Sequence, residues 1–147
     1  MKVVIQRVKS SSVSVAGKLI HKIDNGLNVL VGINVEDTHE DLIYLVNKIV
    51  NLRIFDDEND VMNKSILDVG GSILSISQFT LQADTKKGNR PSYIHAMRGE
   101  DAFKLYEEFN IELNKFVPTY PGVFGADMLI SIENDGPITI VIDSKDK

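Results

Sequence analysis

Ser72-Ile73-Leu74-Ser75-Ile76-Ser77-Gln78-Phe79-Thr80-Leu81 is the stretch on which the fold turns. Gly70-Gly71 precedes it and the polar run Gln82-Ala83-Asp84 follows. Its β-branched and aromatic residues fall on both faces, which predicts an inner strand rather than an edge. Hydroxyls and an amide (Ser75, Ser77, Gln78, Thr80) nevertheless arrive in its middle. Polar groups buried there need hydrogen-bond partners, or the strand must open onto a ligand. Both readings follow from the residues alone.

Composition bounds the surroundings of this strand. The chain of 147 residues reads as a single domain, residues 1–147, able to bury roughly two-thirds of its unfolded surface. It contains no cysteine, so disulfides and thiolate chemistry are excluded, and a zinc site would rest on His and carboxylates alone. No metal and no cofactor is implied. No apolar run approaches the ~20 residues that a membrane helix needs, and Met1 to Val8 shows no signal-peptide pattern. The expectation is a cytoplasmic protein with no membrane partner. A net charge of −5 argues against a surface generally suited to nucleic acid, so any RNA contact should be a local patch.

On the N-terminal side, Lys2 to Val8 reads as a strand, Ser10-Ser11-Ser12 as an interruption, and Val13-Ser14-Val15 as its resumption. Ala16-Gly17-Lys18 predicts a tight turn into Leu19–Ile23. Asp24-Asn25-Gly26 predicts another, because Asn and Gly tolerate positive φ. Leu27–Ile33 completes an antiparallel meander. Arg7 shares a face with Val3 and Ile5. Its head either reaches water along the sheet or turns inward to hold carbonyls or a carboxylate in its planar fork. Thr38–Asn51 switches to helical period, with Leu42, Leu45, Val46, Ile49 and Val50 in one stripe and Thr38 as N-cap. Asp56-Asp57-Glu58-Asn59-Asp60 lacks the spacing and central glycine of a calcium loop and reads as a solvated turn.

On the C-terminal side, residues 82–99 form a loop holding Lys86, Lys87, Arg90 and Arg98 against the single acid Asp84. These are ordinary solvated cations or, with Lys86, Lys87 and Arg90 as candidates, contacts to nucleic-acid phosphates. Glu100–Phe116 predicts a second amphipathic helix, with Ala102, Tyr106, Phe109, Leu113 and Phe116 on one stripe. Thr119 to Ala126 is a Pro/Gly-rich loop with two aromatics. Met128–Glu133, the turn Asn134-Asp135-Gly136-Pro137 and Ile138–Ile142 read as a hairpin, and proline makes a cis peptide accessible at 136–137. The sum is an α+β domain, a largely antiparallel, barrel-like sheet with two amphipathic helices.

Nucleophile systems are poorly supplied. The three histidines, His21, His39 and His95, pair with no Ser or acid in any recognisable motif, and no nucleophile elbow, P-loop or zinc-protease helix occurs. An enzyme built on this chain would work with hydroxyls, main-chain donors and positioning, on a substrate already activated such as an ester with a good leaving group.

Two spaced segments carry a resemblance. Ser77-Gln78-Phe79-Thr80-Leu81 and Asn134-Asp135-Gly136-Pro137-Ile138-Thr139 resemble the paired signature of the D-aminoacyl-tRNA deacylases. The start Met1–Val8, the run Gly88-Asn89-Arg90-Pro91-Ser92-Tyr93 and the run Gly122–Met128 are also similar, so the likeness covers essentially the whole chain. Ile138 stands where the family more often has valine, and Tyr93 where it often has phenylalanine. The resemblance implies a homodimeric hydrolase whose partner is aminoacylated tRNA. It would cleave the ester of a D-amino acid, and of glycine mischarged on tRNA-Ala. It implies that Gly136 and Pro137, as a cis pair, reach into the other subunit's pocket, hold the substrate's amino group and exclude L-residues, with Arg7 and Gln78 bracing them. Ser77, Gln78, Phe79 and Thr80 would form the catalytic element, main-chain groups of Phe79 and Thr80 lining the ester. Phe124 and Met128 would meet the terminal adenosine and Ala102 its ribose. Thr80 lacks a visible base, so water attack aided by main-chain donors and the RNA's own 2′-hydroxyl is preferred over an acyl-enzyme. An unselective esterase using Thr80 and a non-catalytic RNA-binding module are the rival classes.

Overall fold

In the computed structural model, which describes residues 1–147, the chain runs β1 (Lys2–Val15), β2 (Lys18–Ile23), β3 (Gly26–Gly32), α1 (His39–Asn51), β4 (Phe55–Asp56), β5 (Met62–Lys64), α2 (Ile66–Val69), β6 (Ser72–Ser77), a 3-10 turn (Phe79–Gln82), α3 (Gly99–Asn114), β7 (Thr119–Pro121) and β8 (Leu129–Asp143). β6 is the inner strand its sequence predicts, but it ends at Ser77 rather than Leu81. It lies parallel to both neighbours, β3 and β7. The other ladders, β1 with β2, β3 and β8, are antiparallel. The sheet is therefore mixed, an α+β architecture curled most of the way into a barrel.

β1 directs the curl. Its first half pairs with β3 from Lys2↔Gly32 to Val8↔Gly26, and its second half pairs with β2 from Ser11↔Ile23 onward. Ser10–Ser12 do not interrupt it: all three pair with β8, and the hydroxyls of Ser10 and Ser11 have partners on adjacent strands. Ser11 Oγ lies 2.9 Å from the Ser131 carbonyl and 3.1 Å from Asn28 Oδ1, and Ser10 meets Glu133. β2 and β7 are the two edges left facing each other. The His21 Nδ1 to Pro121 carbonyl contact of 2.8 Å spans the gap.

The expected C-terminal hairpin is a single strand. β8 stays beside β1 along its whole length, from Lys2↔Asp143 to Ser14↔Leu129. Gln6 pairs with Thr139 and Val8 with Asn134, so Asp135–Ile138 stand opposite Arg7 alone. The turn signal in Asn-Asp-Gly-Pro is spent on a bulge, because Pro137 has no N–H for the ladder and the chain must step around it. The Gly136-Pro137 peptide is cis.

Side-chain alternation makes two cores. Val3, Ile5, Leu27, Val29, Val31 and Ile73 face the helices and meet the α1 stripe and Tyr106, Phe109 and Leu113 of α3. Val8, Val13, Ile23, Leu74 and Ile76 fill the inside of the curl. Phe116, expected on the α3 stripe, is half exposed, because α3 stops at Asn114, and Val117 takes the buried place. Gly26 is not in a positive-φ turn. A Cβ there would sit 1.8 Å from the Ser72 carbonyl oxygen, so glycine is what allows β3 and β6 to pair.

Candidate active site

The site begins where β6 breaks. The Gln78 N–H makes the last bond of the strand, to the Val31 carbonyl at 2.7 Å, and the backbone then tightens into the 3-10 turn Phe79–Gln82. Gln82 pins the turn from beneath, donating to the Gly32 carbonyl (2.8 Å) and accepting from Asn34 (3.1 Å). The first N–H groups of such a turn have no partner within it, so those of Phe79 and Thr80 are left for other acceptors. The Gln78 side-chain amide donates to Thr80 Oγ1 at 2.5 Å. Phe79 is half exposed, its ring edge-on to Tyr93 with centroids 5.1 Å apart.

A cavity of about 580 Å³ opens beside this turn. Val31, Ile33, Ile76 and Ile130 give it an apolar floor, and Ser77, Gln78 and Phe79 form one wall. The opposing walls come from Tyr93, Met97 and Arg98, from Ala102 in the first turn of α3, and from Phe124 to Met128 after β7. Phe124 is held edge-on against Phe103 (5.4 Å) and beside Tyr106 (5.8 Å). Tyr106 closes the site from behind: its hydroxyl donates to the Ser75 carbonyl at 2.7 Å, and burial pushes the phenol up from its ordinary value, so it stays protonated. The same carbonyl accepts from the Gly122 N–H at 2.9 Å, which fixes the loop that delivers Phe124.

Six of the residues singled out in the sequence line this one cavity: Ser77, Gln78, Phe79, Ala102, Phe124 and Met128. Thr80 sits just behind the wall, half-buried, its hydroxyl engaged by Gln78. Arg7, Gly136 and Pro137 lie outside it within one chain. Arg7 is buried and turned inward. One guanidinium nitrogen donates to the Ile54 carbonyl (2.8 Å) and lies 3.4 Å from Asp56, while Nε lies 3.2 Å from the Asp135 carboxylate, next to Gly136. The Gln78 side chain gives its hydrogen bond to Thr80, not to that element, and Gly136 and Pro137 are exposed. Lys86, Lys87 and Arg90 project from a loop whose base is pinched by the Asp84↔Ser92 bridge, all three exposed and away from the cavity.

The histidines are elsewhere: His21 at the barrel gap, His39 beside Glu108 (3.4 Å), and His95 exposed. No imidazole reaches the cavity, and no base approaches Thr80. Sequence reading did not single out Met97, noted Arg98 only as one of the basic residues of the 82–99 loop with no pattern tying it to the strand end, and quoted Asp127 only within the run Gly122–Met128 without a role. Tyr93 was quoted in the resemblance without a role. What the arrangement offers is an apolar, aromatic-walled chamber with main-chain donors at one rim, suited to a flat ring system joined to a reactive carbonyl.

Comparison with known proteins places the chain in a family. A family model described as D-Tyr-tRNA(Tyr) deacylase matches residues 4–143. Two curated relatives from Clostridium botulinum, of strains Langeland / NCTC 10281 / Type F and Okra / Type B1, are both named D-aminoacyl-tRNA deacylase. Each is 57% identical over 146 residues, covering 99% of this chain and 98% of the relative. A solved chain described as "c-Myc DNA Unwinding Element Binding Protein" is 44% identical, with a TM-score of 0.93 over 97% of this chain and 98% of that one. A second, described as "Structural Analysis of a probable eukaryotic D-amino acid tRNA deacylase", shares the fold at 17% identity, with a TM-score of 0.81 over 96% and 97%. With a family model spanning nearly the whole chain and relatives alike over their full length, this chain belongs to the D-Tyr-tRNA(Tyr) deacylase family.

Proposed function

We propose that the protein hydrolyses the ester between a D-amino acid and the 3′ end of tRNA, and acts likewise on glycine mischarged on tRNA-Ala. The observation that carries this reading is the broken end of β6. Ser77, Gln78 and Phe79 wall an apolar cavity, main-chain N–H groups are free at its rim, and no imidazole is present. The terminal adenosine stacks among Phe124, Met128 and the apolar floor, with its ribose against Ala102. The ester carbonyl then lies along Phe79–Thr80. Water adds to the carbonyl carbon, the oxyanion is held by a main-chain N–H, and the carbon–oxygen bond to the ribose breaks. The proton passes to the leaving ribose oxygen with help from the neighbouring hydroxyl. Fixed donors aimed at developing charge are the strongest device available to a site without a triad.

Gly136 and Pro137 act in this reading from a second copy of the chain. As a homodimer the protein would place the exposed Gly136–Pro137 element of one subunit at the other's cavity, with Arg7 steadying it through Asp135. Main chain brought close to Cα leaves room for a hydrogen there and none for an L side chain, a repulsive route to specificity.

Side-by-side hydrolysis of D-tyrosyl-tRNA and L-tyrosyl-tRNA tests the proposal. Rapid loss of the D ester alone is expected. Hydrolysis of both would make the protein an unselective esterase, and tRNA binding without hydrolysis would make it an RNA-binding module.

A further inference from the structure

Among the residues lining the cavity only two carry charge, Arg98 and Asp127. Arg98 is the N-cap of α3, with extended backbone (φ −129°, ψ 165°) and no side-chain bond to the helix. Its side chain is exposed, and its guanidinium has neither an ion pair nor a hydrogen bond within the chain. The other two arginines with defined surroundings are committed: Arg7 to Ile54, Asp56 and Asp135, and Arg53 to Asn63. Arg98 is thus an uncommitted fork of donors at the mouth of an otherwise apolar, aromatic-walled chamber.

The helix end on which Arg98 sits is not itself an anion site. Glu100 and Asp101 occupy the first turn of α3, and their charges oppose an anion there. Any anion must be taken by the guanidinium reaching outward from the helix. Arg98 stands immediately before α3 and Ala102 lies in its first turn, and both line the same cavity. A nucleotide whose ribose meets Ala102 therefore has its 5′ side within reach of Arg98. Guanidinium matches phosphate in planarity and in paired donors, and the bond is charge-assisted.

We infer that Arg98 is a phosphate-binding residue of this cavity, taking the 5′-phosphate of the nucleotide whose base and ribose the cavity holds. The inference rests on the proposed function for the identity of that nucleotide, the terminal adenosine of tRNA. It gives Arg98 a role separate from Lys86, Lys87 and Arg90, which lie away from the cavity and could meet only more distant phosphates.

The test compares adenosine with adenosine 5′-monophosphate as probes, by calorimetry or ligand-observed NMR, in the full-length wild type, Arg98→Ala and Arg98→Lys. The wild type should bind the monophosphate at least about tenfold more tightly than adenosine. Arg98→Ala should bind the two alike, and Arg98→Lys, a point charge without the fork, should keep part of the preference. Equal affinities in the wild type, a preference that persists in Arg98→Ala, or no binding of either probe would each overturn the assignment. Hydrolysis of D-tyrosyl-tRNA by the same wild-type preparation judges the deacylase reading separately. A monophosphate preference that depends on Arg98, without hydrolysis, would sink that reading and leave the phosphate site standing.

Discussion

The hydroxyl of Thr80 accepts a hydrogen bond from the Gln78 amide at 2.5 Å and has no imidazole or carboxylate beside it. A hydroxyl nucleophile needs a base to take its proton, and an amide donor does the opposite by engaging the oxygen's lone pair. We therefore expect Thr80→Ala to retain D-tyrosyl-tRNA hydrolysis within about tenfold of wild type, a barrier change of no more than about 1.4 kcal/mol. A loss of about a thousandfold in a folded variant would instead make Thr80 the nucleophile. At this scale the sequence was legible where chemistry and periodicity coincide. Polar groups in an apolar strand marked Ser75, Ser77, Gln78 and Thr80, and an arginine on an apolar face marked Arg7, whereas Phe79 came only with the family resemblance. The place of Arg98 and Asp127 beside the cavity was not legible, because exposure there leaves no period in the chain. Only the fold brings α3 and the loop after β7 to the end of β6.

At the scale of elements, polar interruptions misled, whereas apolar stripes held except at the end of α3, where Phe116 falls outside the helix. Ser10–Ser12 looked like a break in β1, and Asn134–Pro137 looked like a hairpin turn. Each signal is local, whereas the partner that satisfies it lies more than a hundred residues away, on β8 for the serines and on β1 for the bulge. The α1 stripe read correctly because its burial depends only on a 3.6-residue period. Its N-terminus is tied to the end of β8 by a buried network. Asp41 accepts from the Thr38 N–H (2.9 Å), the Ser144 hydroxyl (2.7 Å) and Lys145 (3.2 Å). Burial alone would push Asp41 up, but those donors outweigh it and hold its carboxyl well below the ordinary 3.8. The folded state thus prefers the ionised carboxylate. The stabilisation is complete above the unfolded value and is lost as pH falls below it toward the folded one. Urea unfolding should show Asp41→Asn less stable than wild type by about 1–3 kcal/mol at pH 7, with the gap narrowing at pH 3. A gap unchanged by pH would show that the charge of Asp41 plays no part.

At the scale of the molecule, one chain holds the two halves of the proposed site apart. The cavity is walled by β6, α3 and the loop after β7, whereas Gly136 and Pro137 stand exposed on the bulge opposite Arg7. β8 also presents Leu129 and Val141 to solvent at 72% and 61% exposure, apolar surface that a second copy could cover. If the site is completed across a two-fold axis, each cavity must be served by the other subunit's Gly136–Pro137, and damage to the two halves should complement. Ala126→Trp, on the half-buried loop wall, would fill the cavity, and Gly136→Glu would put a charged side chain on the inserting element. Each variant alone should be inactive. In a co-refolded equal mixture half the dimers are mixed, and each mixed dimer has one intact cavity facing one intact Gly136–Pro137. Hydrolysis of D-tyrosyl-tRNA should then return to about a quarter of the wild-type rate per subunit. A site completed within one chain gives no such recovery, because no subunit in the mixture carries both intact halves. A mixture as inactive as its parents, with mixed dimers demonstrated by mass, would therefore rule out assembly across the interface.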